Sequence, residues 1–293
     1  MDDWVQREIE AGRFPDQRLK TRLGILLGEL GQHIGASLPL ACQDWAATKA
    51  AYRFLDNPRV DESLILAGHF AATKSRIATT SGTILILHDT TEFSFQRKRP
   101  EDIGQIRIMP SARIGQKRIT TCGLLMHSSL ALTPAGEPLG LTAVKFWTRK
   151  KFQGTNALPG RGKDARHRVN ATRIPIAEKE SVRWLKNLEA STLLADPDRC
   201  VHIGDRESDI YELFCLAAEK KTHFLVRTCV DRLAGTGQTT ISRKLKREPI
   251  RGRFEIPIEG PDRKPLTVTL HVRSCEMTVR PPIGKQNDSP PCR

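Results

Sequence analysis

Two short apolar runs in the sequence each end in an aspartate. Residues 83–88 lead to Asp89, and residues 200–204 lead to Asp205. A carboxylate at the end of a buried strand points toward the edge of a sheet, so two such aspartates on neighbouring strands would converge on one small volume. That arrangement holds pairs of divalent metal ions for phosphodiester chemistry. The pattern therefore predicts that Asp89 and Asp205 are catalytic residues and metal ligands.

Each aspartate also has a second interpretation. Asp205 could cap a helix, since aspartate is a preferred N-cap residue and Glu207 and Asp209 would complement the helix dipole. Asp89 could close its strand in an Asx turn. Residues 205–212 contain four acidic residues in a very basic protein, which favours a metal site, and a catalytic aspartate can also cap.

Other motifs exclude competing functions. Residues 160–163 read Gly-Arg-Gly-Lys, but a phosphate-binding loop needs glycine at position 157, where alanine stands, and a hydroxyl side chain in place of Asp164. The G-x-S-x-G and G-x-G-x-x-G patterns are absent, which argues against serine hydrolases and dinucleotide-binding enzymes. His88 and His202 lie inside apolar runs, where hydrogen-bonded core histidines are expected more often than catalytic ones.

Charge is the strongest compositional signal. The 293 residues carry a net charge of +14, which predicts a polyanionic partner such as double-stranded DNA. Residues 145–173 contain nine basic residues and one acidic residue, and residues 227–273 contain eleven and five. Residues 1–75 are balanced, with nine basic and ten acidic, so DNA contacts there would come from a local patch. Any single charge run could also be an ordinary solvated surface. The basic residues of the local patch are Arg13, Arg18, Lys20 and Arg22.

The expected cellular location follows from two kinds of segment that the sequence lacks, a signal peptide and a membrane span. The start is acidic where a signal peptide would be basic, and no run approaches the roughly 18 apolar residues of a membrane span. Seven widely spaced cysteines without a C-x-x-C pair are expected to be small buried residues in a reducing compartment. We expect a cytoplasmic, nucleoid-associated protein without a membrane segment.

The order of predicted elements indicates a mixed α+β protein. Helices are predicted around residues 19–30, 43–54 and 61–76, before the first strand at 83–88. Strands are then expected at 118–125, 128–132 and 139–147, followed by helix 175–189, strand 201–204, helix 206–220 and strand 224–226. Antiparallel strands followed by alternating strand and helix are the order of a ribonuclease-H-like mixed sheet flanked by helices. The predicted domains are 1–76 (helical, DNA-binding), 77–228 (ribonuclease-H-like), 229–279 (a partial β-rich insertion) and 280–293 (a disordered tail).

Several segments together resemble one family. The sequences AYRFLDNP at 51–58 and GDRESDIY at 204–211 are the most specific, and further matching stretches are 14–19, 88–91, 178–185 and 224–227. On these motifs the chain resembles the cut-and-paste bacterial transposases of the insertion-sequence-four/transposon-five group, from about residue 14 to 280. That family carries three catalytic carboxylates, the DDE triad, on a ribonuclease-H-like fold.

The resemblance assigns roles to individual residues. It implies that Asp89 and Asp205 are the first two catalytic aspartates and bind Mg²⁺ or Mn²⁺, and that Arg227 contacts transposon-end DNA near the scissile phosphate. Hydrolytic nicking, strand transfer through a hairpin end and insertion are then implied, performed by a dimer that bridges two DNA ends. Basic side chains predicted to contact DNA are Arg18, Lys20, Arg22, Arg53, Lys145, Arg149, Lys150 and Lys151.

One departure from the family limits this expectation. The third carboxylate lies in the pattern Y-x-x-R-x-x-x-E-x-x-x-x-x-x-K, which does not occur in the sequence. A truncation or frameshift inside the insertion is the simplest account, and it implies weak metal binding and loss of cleavage. The alternative function is a DNA-binding regulator of transposition without catalysis. Either function could use a homodimer or a heterodimer with full-length transposase.

Overall fold

The protein has mixed α+β architecture, as predicted: helices at the N-terminus are followed along the chain by the strands of a mixed sheet. The structure is a computed structural model that describes residues 2–96, 102–109, 119–149, 174–260, 263–286 and 290–292. The chain forms two compact units. The first contains residues 1–152, 183–204 and 220–225, and the second contains residues 153–182, 205–219 and 226–293.

Five helices form the N-terminal part of the first unit. The three predicted helices are confirmed, and their starts are fixed by Asp16, Asp44 and Asp61, whose carboxylates accept backbone N–H groups at each N-terminus. The first and third observed helices were not predicted, because seven and five residues are too short to show a clear apolar period. The helices are α1 (Asp3–Ile9), α2 (Gln17–Gln32), α3 (Leu38–Cys42), α4 (Trp45–Leu55) and α5 (Glu62–Thr79).

The described residues form one six-stranded mixed sheet. Strand β1 lies at its centre, paired antiparallel with β3 on one side and parallel with β5 on the other, and β6 follows β5. Both β2 and β4 pair antiparallel with β3. The strands are β1 (Ile84–Phe95), β2 (Gln105–Met109), β3 (Ile119–Leu132), β4 (Pro138–Trp147), β5 (Cys200–Gly204) and β6 (His223–Val226).

Two strands are longer than predicted. The expected end of β1 at His88 is wrong: the strand continues to Phe95, because its antiparallel ladder with β3 continues to the pair Phe95 and Cys122. The two strands expected at 118–125 and 128–132 are one continuous strand, β3, within its described residues. Asp89 therefore lies inside a strand, where the Asx turn of the alternative interpretation does not form.

Two helices begin later than predicted. The segment predicted as a helix from residue 175 opens with a 3₁₀ turn at Ile176–Glu178, and the α-helix α6 spans Val182–Thr192. The segment predicted from residue 206 likewise opens with a 3₁₀ turn at Arg206–Ser208, before helix α7 (Tyr211–Glu219). In both cases a residue outside helical geometry, Lys179 or Asp209, separates the 3₁₀ turn from the α-helix that follows.

A half-buried polar cluster joins the N-terminal helices to the sheet within the first unit. The Glu8 carboxylate in α1 is bound by His69 Nδ1 at 2.5 Å and by the Arg76 guanidinium at 2.7 Å, both from α5. On the other side, the Leu141 N–H in β4 donates to His69 Nε2 at 2.9 Å, and Arg76 Nε donates to the Leu139 carbonyl. Since His69 Nε2 accepts a hydrogen bond, the ring proton is on Nδ1 and faces Glu8.

The second unit contains short elements and a β-ribbon. Helix α8 (Ile241–Arg247) lies in the segment predicted to be β-rich, and β7 (Leu233–Ala234) and β8 (Thr239–Thr240) precede it. Two longer strands follow in the same segment, β9 (Gly252–Glu259) and β10 (Pro265–Val272). In the described part of the predicted tail, Cys292 pairs with Val279, so the chain makes contacts where composition predicted none. The predicted domain boundaries at 76, 228 and 279 stay predictions.

Candidate functional site

Each candidate aspartate comes two residues after a paired residue of the sheet. Within the first unit, parallel pairing of β1 with β5 ends at the pair Leu87 and Ile203. Asp89 follows Leu87 by two residues, and Asp205 follows Ile203 by two residues. Because side chains alternate along a strand, Asp89 lies on the opposite face of β1 from His88. His88 is buried and Asp89 is exposed, which matches this alternation.

The acidic residues after β5 have separate structural roles. Asp205 caps the 3₁₀ turn, with its Oδ1 accepting the Glu207 N–H at 2.9 Å, so the capping interpretation is confirmed for one of its oxygens. Asp209 binds Arg232 at 2.6 Å and Glu212 binds Lys285, both within the second unit. The acidic stretch was read as support for a metal site, but Asp209 and Glu212 are held by these ion pairs. Among the described residues, no group of three His, Cys, Asp or Glu side chains has an arrangement suited to a metal ion.

The buried histidines form a hydrogen-bond chain across the sheet. The Asn187 amide in α6 donates to Ser129 Oγ at 2.9 Å, and Ser129 Oγ lies 2.7 Å from His88 Nδ1. His88 Nε2 lies 2.8 Å from His202 Nδ1. Ser129 Oγ therefore joins Asn187 to His88, and the His88 ring joins Ser129 to His202. The prediction that His88 and His202 are hydrogen-bonded core histidines is confirmed.

This hydrogen-bond chain connects β1, which contains Asp89, with β5, which ends just before Asp205. His88 belongs to β1 and His202 to β5, so their hydrogen bond crosses the parallel pair next to Leu87 and Ile203. His202 is 2% exposed, and its Nε2 has no hydrogen-bond partner among the described residues. Burial lowers the pKa of His202 to about 4. It also lowers the pKa of His88 well below its ordinary value, with the neighbouring His202 as the next cause.

We expect the first unit to lose stability in mild acid. The unfolded chain binds a proton at His202 near pH 6.5, whereas the folded chain binds it only near pH 4, so stability falls as the pH falls through this window. The loss is at most about 3 kcal/mol for this residue. All four tryptophans lie in the first unit, so urea unfolding followed by their fluorescence at pH 7 and pH 4.5 measures it. Equal stability at the two pH values would contradict the burial of a neutral histidine. His223→Phe, which removes an exposed histidine, is the control and should leave the difference in stability between the two pH values unchanged.

The predicted DNA-contacting residues are found in different environments. Arg18, Arg53 and Arg227 are exposed, while Arg22 is half-buried. The Lys20 ammonium donates to the Glu10 carbonyl at 2.6 Å, which fixes it against the preceding segment. Lys150 and Lys151 lie outside the described residues, and Lys145 is half-buried on β4.

Arg149 has a structural contact that sequence patterns do not show. Its guanidinium donates to the Ile106 carbonyl at 2.5 Å, and its backbone N–H donates to Gln105. Arg149 therefore connects the chain after β4 to β2. At least one guanidinium nitrogen of Arg149, which the sequence assigned to a DNA contact, is therefore used in a contact with the sheet.

Helix α4 has an exposed face of which only Arg53 was predicted from the sequence to contact DNA. Trp45 is 77% exposed and Tyr52 is 53% exposed, and Lys49 and Arg53 are exposed beside them. The spacing of these four residues, i, i+4, i+7 and i+8, puts them on one side of the helix. The opposite side packs into the helical core through Ala51 and Phe54, together with Ile9, Leu19, Leu23, Leu26 and Cys42. Helical periodicity applied to aromatic and basic residues, instead of apolar ones alone, would have identified this face.

Comparison with known proteins gives an independent indication for the same region. Residues 1–60 match the family model described as transposase DNA-binding. A search of curated proteins found no match. Within the described residues, no helix is long and apolar enough to cross a membrane. The match contains α1 to α4, including the whole exposed face of α4, and supports a DNA-binding role of the transposase type for this part of the chain.

Proposed function

We propose that this chain binds the ends of a transposable DNA element through its N-terminal helices, as the DNA-binding part of a cut-and-paste transposase of the insertion-sequence-four/transposon-five group. The observation that carries the proposal is the exposed face of α4, which lies inside the segment that matches the transposase DNA-binding family. The motifs AYRFLDNP and GDRESDIY support the narrower family, and double-stranded DNA is the partner.

The chemistry of the α4 face suits a DNA groove. An α-helix fits the major groove, where cationic side chains bind phosphates or guanine edges and apolar groups contact thymine methyls. Lys49 and Arg53 supply the cations, and Trp45 supplies a large apolar surface. Thr48 on the buried side is 6% exposed, so the helix cannot rotate this face inward without breaking its core packing. We therefore propose α4 as the helix that lies against DNA.

Replacing both Lys49 and Arg53 with alanine is expected to weaken binding of transposon-end duplex about tenfold or more. The slope of log affinity against log salt should also fall, by about 0.9 for each lost phosphate contact. Fluorescence anisotropy across a salt series measures both quantities. Lys74→Ala is the matched control, because Lys74 is an exposed lysine on α5, outside the matched segment, and should change neither. If Lys74→Ala lost as much DNA affinity as the double variant, binding would depend on the net charge of the chain and not on the α4 face.

We further propose that Asp89 and Asp205 hold Mg²⁺ or Mn²⁺. Both are exposed carboxylates, the hard oxygen ligands that these ions prefer, and each follows a paired residue of adjacent parallel strands. In the sheet, β1 pairs antiparallel with β3 and parallel with β5, and β6 lies beyond β5, an order that supports a ribonuclease-H-like sheet for this region. A bound divalent ion would polarise the scissile phosphate and lower the pKa of an attacking water. Arg227, exposed directly after β6, is proposed to bind the neighbouring phosphate.

These 293 residues are expected to cleave DNA negligibly by themselves. The pattern that supplies the third carboxylate in the family does not occur among them, so metal binding should be weak. Incubating the purified chain with end duplex and Mg²⁺ or Mn²⁺ tests this, with denaturing gels as the readout. Robust nicking that Asp89→Asn abolishes would contradict the expectation and would show that the two aspartates suffice.

A second function, regulation of transposition without catalysis, is favoured by the same missing pattern. A chain that occupies DNA ends but cannot cleave them competes with active enzyme for those ends. It could also form mixed dimers with full-length transposase. Adding the chain to an active full-length transposase would then lower end cleavage in proportion to the amount added. Unchanged cleavage at saturating chain would argue against this role.

A further inference from the structure

The β9–β10 ribbon of the second unit separates apolar and polar side chains completely between its two faces. The antiparallel register pairs Phe254 with Leu270, Ile256 with Val268, and Ile258 with Leu266. Because successive side chains alternate between faces, these six residues share one face, and Val272 extends it. The opposite face carries polar, charged and proline side chains. They are Arg253, Glu255, Pro257, Glu259, Pro265, Thr267, Thr269 and His271.

The apolar face is exposed. Phe254 is 58% exposed, Leu266 49% and Ile256 41%, and among the seven residues only Val268 is half-buried. In the described part of the chain, β9 and β10 pair only with each other. An isolated two-stranded ribbon is marginally stable in water, and a contiguous apolar patch of this kind marks an interaction surface. The face therefore requires a partner surface to cover it.

The composition of the face selects the kind of partner. It contains no charged or hydrogen-bonding side chain, so it cannot neutralise phosphates, and DNA is a poor occupant despite the basic character of the chain. A second apolar face of the same shape is complementary to it. Two ribbons related by a two-fold axis can stack face to face at the usual sheet spacing of about 10 Å, with their polar faces directed outward into water.

The area is sufficient for a weak, reversible dimer. Covering six side chains that are 41–58% exposed removes about 500 Å² from each copy and about 1,000 Å² from the pair, which is the lower limit for a specific interface. We propose that the apolar faces of two β9–β10 ribbons pack against each other and join two copies of this chain. This proposal rests on the ribbon alone and does not depend on the proposed DNA-binding function.

Sedimentation velocity of the full chain over a concentration series tests the proposal. Wild-type protein should show a reversible monomer–dimer equilibrium, with a dissociation constant of roughly 10 µM for an interface of this size. Ile256→Lys puts a charge in the centre of the apolar face and should weaken dimerisation at least tenfold. Thr267→Lys adds the same charge on the opposite face of the same ribbon and should leave the dissociation constant unchanged.

Each other outcome overturns the proposal. A monomer at every concentration up to several hundred micromolar would mean that another segment or partner covers the ribbon. A dimer that Ile256→Lys and Ile258→Lys do not weaken would place the interface elsewhere. Circular dichroism confirms that both variants stay folded, and if neither does, the wild-type concentration series decides alone. DNA affinity measured at nanomolar protein, far below the dimer range, separates this result from a failure of DNA binding.

Discussion

Replacing Gly140 with alanine is expected to destabilise the first unit by about 3 kcal/mol. Gly140 has φ of +129°, a conformation that side chains with Cβ rarely adopt. A Cβ there would lie 2.2 Å from Thr73 Oγ1 and 2.9 Å from an Arg76 guanidinium nitrogen. Thr73 is fully buried, so α5 must shift away from β4 or the backbone of β4 must change. The substitution therefore acts on the place where the helices meet the sheet.

Gly136→Ala separates the two causes of this effect. Gly136 also has positive φ, +91°, but no atom lies within 4 Å of a Cβ built there. Gly136→Ala should therefore lower the free energy of unfolding only by the backbone strain, about 1 kcal/mol. Urea unfolding followed by tryptophan fluorescence measures both variants, since all four tryptophans lie in the first unit. Equal destabilisation of the two variants would mean that α5 does not approach β4 as closely as described.

Replacing Asp209 with alanine should be the most damaging single change in the second unit, at about 3–5 kcal/mol. Its carboxylate is fully buried and accepts the N–H groups of Cys229 at 2.8 Å and Val230 at 2.9 Å, as well as the Arg232 guanidinium. Without it, Arg232, 8% exposed, is left as an uncompensated buried charge. The same bonds hold the segment that follows Arg227, the residue proposed to bind DNA near the cleaved phosphate.

Hydrogen exchange gives the most local measurement of this effect. In Asp209→Ala the amides of Cys229 and Val230 should lose their protection, whereas Asp231→Ala, which removes an exposed carboxylate bound to Ser242, should leave them protected. Burial alone would raise the pKa of Asp209, but the hydrogen bonds from Cys229, Arg232 and Val230 hold it below its ordinary value. The stability it supplies is present at neutral pH and is lost as the pH falls through this lowered pKa. Unchanged protection in Asp209→Ala would refute the assignment.

Local signals predicted much of the fold. Asp61 marks the start of α5, and apolar runs locate the central strands, because capping and periodicity act over a few residues. The length of β1 could not be predicted this way, since its second half, from Thr91 to Phe95, is held by pairing with distant β3. Long-range pairing also decides the roles of Asp209 and Arg149, whose partners are 23 and 43 residues away in sequence.

The candidate site was predicted unevenly for the same reason. The motif around residues 51–58 pointed to Arg53, but a family motif does not show which neighbours share its exposed side, and Trp45 and Lys49 were missed. His88 and His202 were correctly interpreted as core residues from their apolar surroundings. Their hydrogen-bond partners Ser129 and Asn187 could not be predicted, because no local sequence pattern connects these residues to the histidines. The roles of Asp89 and Asp205 stay predictions.

Selection from a random duplex library tests the central claim most directly. The purified chain, held at nanomolar concentration and near-physiological salt, is allowed to bind a pool of random DNA duplexes, and the bound fraction is sequenced over successive rounds. Specific binding typically exceeds non-specific binding by a factor of 10³ or more, so one motif should dominate. We expect this motif to match the terminal repeats of a transposable element, and we expect the Lys49→Ala/Arg53→Ala variant to lose the enrichment. A bound pool without any enriched motif, or equal enrichment by the variant, would contradict this expectation.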